Sequence, residues 1–551
     1  MRYVFSFFVL MILAACTRQQ PADLVLKNAK LWTVNSQQPE AEALAVQNGK
    51  IVAVGSTAEI EKYIGKETRV IDASGRRVVP GFTDAHTHFL DGGESLLTLD
   101  LRDCQNEAEF LRKLKAYADK LPAGRWITNG NWDHERTFAG VLPARQLIDK
   151  VTPKNPVAIN RTDGHMLLAN SLALKLAKIN IDTSEPEGGV IVKDYRTGEP
   201  TGILKDAAMD LVYNVIPDAT PEELDEALAA AMKYAHEVGV TSIHDMLGWN
   251  DWYAYERARS QGKLTLRVSA YFPISTWEKV VALRDTTKNG EWLRVGGLKG
   301  FVDGSLGSST ALMFEPFADD ATNRGTYISD WFRTGMMHQF VKAADSAGLQ
   351  IAIHAIGDSA NSTMLDIYER VVKENGAKDR RFRIEHAQHL HPKDISRFKT
   401  LGVIPSMQPY HCIDDGRWAE KRLGIERSKT TYAFRSLLDA KANLSFGSDW
   451  FVAPLNPLQG IYAAVTRQTL DSGHPDGWIP EQKISVAEAV RCYTLNDAYA
   501  EFAEKEKGSL EVGKWADFVM LSDDIFAIEP AQIRAVKVVT TVVGGKVVFE
   551  R

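Results

Sequence analysis

The sequence predicts an α/β protein: a TIM-type (β/α)8 barrel with an inserted subdomain, plus a small composite β-sandwich built from both chain ends. Three observations carry that expectation. Region 80–502 alternates short apolar runs of strand length with helical patterns, as buried parallel strands joined by crossover helices do. Eight such runs stand out, the count a barrel of this type requires. β-rich pieces with clear turn punctuation fill 23–79 and return only at 503–551, and neither end has strands enough to close a sandwich alone.

Taken in order, the chain opens with Met1-Arg2 and an apolar run over 3–12 that ends in Leu13-Ala14-Ala15-Cys16. That run has the length of a signal-peptide core and is too short to span a bilayer. Its ending resembles the bacterial lipoprotein box, which implies removal of 1–15, lipidation of Cys16 and a short tether over 16–22. The expected location is the bacterial cell envelope, with the chain held by its lipid anchor and facing the periplasm or the outer surface. Strand pieces follow at 24–34, at 43–54 broken by Asn48-Gly49-Lys50, and at 70–79 broken at Ser74-Gly75; this texture reads as hairpins. The eight barrel candidates are 81–84, 240–243, 266–269, 298–301, 351–353, 382–384, 403–406 and 444–446. Helical patterns such as 221–238 and 334–347 lie between them. The long stretch 89–239, with strands of its own at 126–129 and 157–160, reads as a subdomain inserted on a barrel loop. The last strands are expected at 518–521 and 536–549, turning at Gly544-Gly545.

Composition narrows the function. The 551 residues carry 65 Lys plus Arg against 71 Asp plus Glu, a net charge of −6, so no basic footprint for nucleic acid is present. Four scattered Cys are too few for a disulfide framework and form no CxxC motif. Thirteen His are enough for a metal site. Nucleic acid is therefore not an expected partner; a small-molecule substrate is expected only from the family resemblance that the site motifs carry.

The informative residues follow the barrel strand candidates, at the face where such barrels build active sites. They are His86 and His88, Lys299, His354, His386 and Asp449. In His86-Thr87-His88 the alternation of extended backbone puts both imidazoles on one side, where they can chelate one ion. Each residue alone also fits a bland role: a histidine pair at a surface, or an Asp after a Gly in a turn. The conjunction of all of them behind strands is what points to a metal-dependent site.

Pro80-Gly81-Phe82-Thr83-Asp84-Ala85-His86-Thr87-His88 resembles the PGF-x-D-x-H-x-H signature of the amidohydrolase superfamily. His354-Ala355-Ile356-Gly357-Asp358, Glu385-His386-Ala387 and Gly447-Ser448-Asp449 match its later stations in order. Lys299 with Asp303-Gly304-Ser305-Leu306-Gly307 resembles amidohydrolase family 3, the branch that includes N-substituted formamide deformylases. Asn131-Trp132-Asp133, the Arg161-to-His165 segment with Asn170, and the tail 508–517 are similar to that branch too.

The resemblance implies a hydrolase of non-peptide carbon–nitrogen bonds that uses one or two divalent ions, zinc foremost. It assigns His86 and His88 to the more buried ion, His354 and His386 to the second, and Lys299 to a bridge as an N-carboxylated side chain. Asp449 would ligate the buried ion and act as general base and acid. The superfamily also includes deaminases, lactone or ester hydrolases and isomerases, and fold does not choose among them. A barrel kept only to bind a small molecule is a third reading, against which the intact set from His86 to Asp449 argues. His165, Asp303 and Gln408 are candidate substrate contacts. Trp126, Trp132 and Trp249 fit either a pocket wall or the core.

Overall fold

The computed structural model describes residues 20–551 apart from 162–165, 187–188, 288 and 308; at 135 and 206 it describes the backbone alone. Cys16 and His165 lie outside the described residues. Eight parallel strands form one sheet in sequential order. They are β1 (Phe82–Thr87), β2 (Val240–Met246), β3 (Arg267–Pro273), β4 (Leu293–Phe301), β5 (Gln350–Ala355), β6 (Arg383–His386), β7 (Ile404–Met407) and β8 (Ser445–Phe446). Each expected run coincides with one of them. The sheet turns back on itself where Thr87 bridges Trp450 in parallel and Asp449 N–H donates to the His86 carbonyl at 2.8 Å.

Every residue of β1 and β2 is buried, as expected for strands covered on both faces. The covering helices read from the same logic. In Asp358–Asn375, which follows β5, Ala360, Met364, Leu365, Tyr368 and Val371 are buried at three- and four-residue spacing, so one stripe faces the sheet. Gly376 at φ 77° ends that helix. Gly447 is required where the barrel closes: a Cβ there would stand 2.6 Å from His86 N and 2.7 Å from Asp84 Oδ1, closer than side-chain atoms pack.

The chain ends build two further sheets. One has the order Lys50–Gly55, Ala43–Gln47, Leu24–Lys27, Arg69–Asp72; the other has Lys546–Glu550, Val538–Val543, Phe518–Leu521, Arg77–Pro80, Lys30–Trp32, Glu40–Ala41. Leu24, Leu26, Leu44 and Val46 of the first share a core with Leu31, Val78, Phe518 and Val542 of the second, so the two pack as a sandwich. The hairpin expectation holds for 43–55 and 538–550, which pair antiparallel, but fails for 24–34 and 70–79. Those segments cross from one sheet to the other, and their halves pair in parallel. The reason lies at the breaks, where Asn28 (φ 55°) and Ser74 (φ 50°) turn the chain. Gly75 N–H donates to the Asn28 carbonyl at 2.7 Å and Asn28 Nδ2 donates to Asp72 at 2.8 Å, tying the two crossings together. Arg267 at the start of β3 clasps Asp517 through bonds of 2.7 and 3.0 Å.

The second compact unit comprises 88–234 with 246–264. Its five-stranded sheet has the order Gly189–Lys193, Pro200–Asp206, Met166–Ala169, Val157–Arg161, Ile127–Trp132. Val157 and Ile159 enter one core and Ala158 another; Leu168 and Leu167 divide likewise. Period-two alternation thus feeds a core on each face. Trp132 is fully buried and donates to the Ile159 carbonyl at 2.8 Å, and Trp126 packs against the other core. Both are packing residues of this unit. The helix Trp249–Ser260, which the sequence reading leaves with the barrel, belongs here, with Arg257 bound to Asp225 at 2.7 Å.

Candidate metal centre

The strand ends converge as the spacing of the motifs requires. His86 is the penultimate residue of β1, and His88 caps the following helix, Phe89–Leu97. Ligand atoms of His86, His88 and Asp449 lie within 4.8 Å of one another. Asp449 Oδ1 stands 3.6 Å from His86 Nε2, and Lys299 Nζ stands 3.2 Å from that same nitrogen. The His386 ring is 4.9 Å from His86 and 4.4 Å from His354, centroid to centroid. His354 Nε2 lies 3.0 Å from the Gly304 carbonyl, so that nitrogen is turned to the β4 loop.

Two residues hold the backbone in conformations that cost about 1–3 kcal/mol each outside glycine. His386 has φ 73° and Asp449 φ 62°. Asp84 helps to fix the second: its Oδ1 accepts from His86 N–H at 3.1 Å and Ser448 N–H at 2.9 Å, joining the ends of β1 and β8. Burial pushes the Asp84 carboxyl up to about 7, against those hydrogen bonds.

Beneath these side chains runs a buried ion pair. Glu385 Oε1 accepts from Arg383 Nε at 2.7 Å, and Glu385 Oε2 meets His86 Nδ1 at 2.5 Å; both charged side chains are fully buried. Burial works to raise the Glu385 carboxyl, but the Arg383 guanidinium and His86 outweigh it and hold the group far below the usual carboxylate range. An ionised carboxylate only accepts, so the His86 proton sits on Nδ1 and Nε2 presents its lone pair to the centre. Gln408 performs the same service for His386, its Oε1 lying 2.8 Å from Nδ1.

The imidazoles are poised as neutral donors. Burial first, and Lys299 next, lower His86 to about 4 and His354 to about 3; burial and then His354 hold His386 well below its ordinary value. Lys299 is lowered to about 8 by burial, with Glu385 and Asp449 pulling the other way. At pH 6 an ordinary histidine is roughly three-quarters protonated. The expected result for the metal-stripped protein is therefore that His86, His354 and His386 stay neutral between pH 8 and pH 5, their ring nitrogen-15 shifts never reaching imidazolium values although Lys299 and Asp84 titrate beside them. NMR of selectively labelled protein, assigned with single His variants, measures it, and a titration of any of them near 6.5 would contradict the shift.

Two expected substrate contacts are engaged within the protein. Asp303 is fully buried, and its oxygens accept from the backbone N–H groups of Ile356 (3.0 Å), Gly357 (2.9 Å) and Leu312 (2.7 Å). It anchors the loop after β5. Gln408, also buried, spends its carbonyl on His386. Sequence reasoning missed Glu385 and Arg383 as a pair, although two charged residues at i and i+2 in a buried strand are a signal. It also missed His411, whose ligand atom lies within 4.8 Å of those of His386 and Asp449; nothing in its local pattern separates it from the other histidines.

Neutral imidazole nitrogens grouped with one carboxylate are a donor set suited to a divalent transition ion. The site and fold define a metal-dependent hydrolase barrel, and the comparisons agree. The family-3 model of the Amidohydrolase family matches residues 69–549, and the chain belongs to that family. It is 42% identical over 542 residues to Protein LONG AFTER FAR-RED 3 of Arabidopsis thaliana, covering 96% of this chain and 92% of that one. It is 29% identical over 553 residues to the N-substituted formamide deformylase of Arthrobacter pascens, covering 97% and 99%. Among solved structures, an uncharacterized metal-dependent hydrolase from Pyrococcus furiosus superposes with a TM-score of 0.77 at 28% identity, over 91% of this chain and 99% of that one.

Proposed function

We propose that this chain hydrolyses a non-peptide carbon–nitrogen bond in a small N-acyl, N-formyl or cyclic amide, with zinc as its metal and Asp449 as general base and acid. The observation that carries the reading is the place of Asp449. Its carboxylate is common to both donor groups, and its backbone is tied to His86 by the 2.8 Å bond that closes the barrel. His86, His88 and Asp449 would hold one ion, with His354 and His386 at the second position. Bound there, divalent ions supply a water of lowered pKa and a polarised carbonyl. Asp449 takes the proton of the attacking water and returns it to the leaving nitrogen, since an amide anion is too basic to depart unprotonated. Glu385 and Gln408 keep His86 and His386 in the tautomers whose Nε2 carries a lone pair.

Lys299 completes the donor set by carboxylation. Its neutral amine adds to carbon dioxide, a nitrogen–carbon bond forms, one proton leaves, and oxygen donors replace an ammonium that offers only hydrogens. The amide specificity is supported by the deformylase relative. Lipidation of Cys16 would tether this activity to the bacterial envelope.

The test is a panel of N-formyl, N-acyl, cyclic-imide and lactone compounds offered to zinc-loaded and chelator-treated protein. Hydrolysis of an amide or imide by the loaded form alone is the expected result. Turnover confined to lactones would overturn the assignment.

A further inference from the structure

His411 lies in the helix Pro409–Asp415, directly after β7. Its Nε2 is buried and has no hydrogen-bond partner among the described residues. A buried ring nitrogen left unpaired loses its hydration with nothing in return, so native structures seldom keep one without a partner to meet it. The surroundings show which ligand. One ring nitrogen of His411 groups with His386 and Asp449, the three ligand atoms lying within 4.8 Å of one another, while Asp415 of its own helix also acts on it electrostatically. Donors about 2.0–2.2 Å from a tetrahedral ion stand roughly 3.3–3.6 Å apart, so the group closes on an ion by side-chain movements of about 1–1.5 Å between the widest pair.

We infer that His411 is a ligand of the second divalent ion, together with His386 and Asp449. This goes beyond the motif, which assigns that ion to His354 and His386 and no ligand to the seventh strand, and it rests on the metal-dependent reading above. The exit of β7 acts as one clip. Gln408 Oε1 lies 2.8 Å from His386 Nδ1, which puts the ring proton there and the lone pair on Nε2, Pro409 starts the helix at a position where proline is favoured, and the His411 N–H bonds back to the Gln408 carbonyl at 3.2 Å. His354, with Nε2 on the Gly304 carbonyl, is then a neighbour of this ion and not the sole partner of His386 in binding it.

The experiment is a zinc and cobalt titration of the full chain in wild-type, His411→Asn and His411→Phe forms, with metal content and the visible cobalt spectrum as readouts. The expected result is two ions in the wild type. Both variants should retain the first while the second binds at least 10-fold more weakly, with a changed spectrum at the second equivalent. Unchanged affinity and spectrum in both variants would overturn the inference. Should substitution disturb the fold, cadmium-113 bound to nitrogen-15 histidine-labelled wild type decides directly: a His411 coupling that appears with the second equivalent supports the assignment, and its absence removes it. Failure of the parent reading looks different, because the wild type would then take up no divalent ion at all. A wild type that binds one ion, unaffected at His411, defeats only the inference.

Discussion

Replacing Asp449 by Asn is expected to lower turnover at least ~100-fold, the low end of a general acid–base contribution, while the fold and the first bound ion are kept. Asn matches Asp in shape and is among the few side chains that tolerate the left-handed region, where Asp449 sits at φ 62°. The backbone bond to His86 and the closure of the barrel therefore persist. What disappears is the proton acceptor, because an amide oxygen is not basic enough to take a proton from water. The checks are kcat on whichever amide of the panel is turned over, and metal content on the same preparation. Near-normal activity with full metal would show that the proton moves elsewhere.

Glu385→Gln is expected to have the largest effect on stability, about 3–5 kcal/mol, the range for breaking a buried ion pair from one side. Arg383 is fully buried, and the change leaves its charge there without a counter-charge. Its remaining partners, the His244 ring, the Tyr271 hydroxyl, the Ala85 carbonyl and Ser406 Oγ, are all neutral. The same substitution frees the tautomer of His86, and loss of such a supporting partner lowers metal affinity roughly 10- to 100-fold. Urea unfolding and a zinc titration measure the two effects separately. A stable variant with unaltered zinc affinity would mean that neither the pair nor the tautomer matters as argued.

Much of this was legible beforehand because it depends on local pattern. The eight barrel strands are short apolar runs in a chain that alternates them with helices, and each emerged where the run was read. His86, His88 and Asp449 were legible because β-strand alternation and a short loop fix where their side chains can go once the strands are parallel. The crossings at Asn28 and Ser74 were not legible. A turn residue followed by a second strand looks the same whether the strands pair with each other or part into two sheets, and the choice is made by long-range partners such as Phe518 and Val542.

By itself, the sequence determined the fold class and the strand ends after which the candidate ligands stand, since both follow from periodicity and order along the chain. Only the tertiary structure decided who supports whom. It set Glu385 and Gln408 on the far nitrogens of two histidines, tied Asp303 to three backbone N–H groups, and brought His411 to the centre from the seventh strand. Those assignments depend on which atom of a ring or carboxylate faces which neighbour across the barrel, a matter of packing between residues up to 299 positions apart that no local pattern encodes.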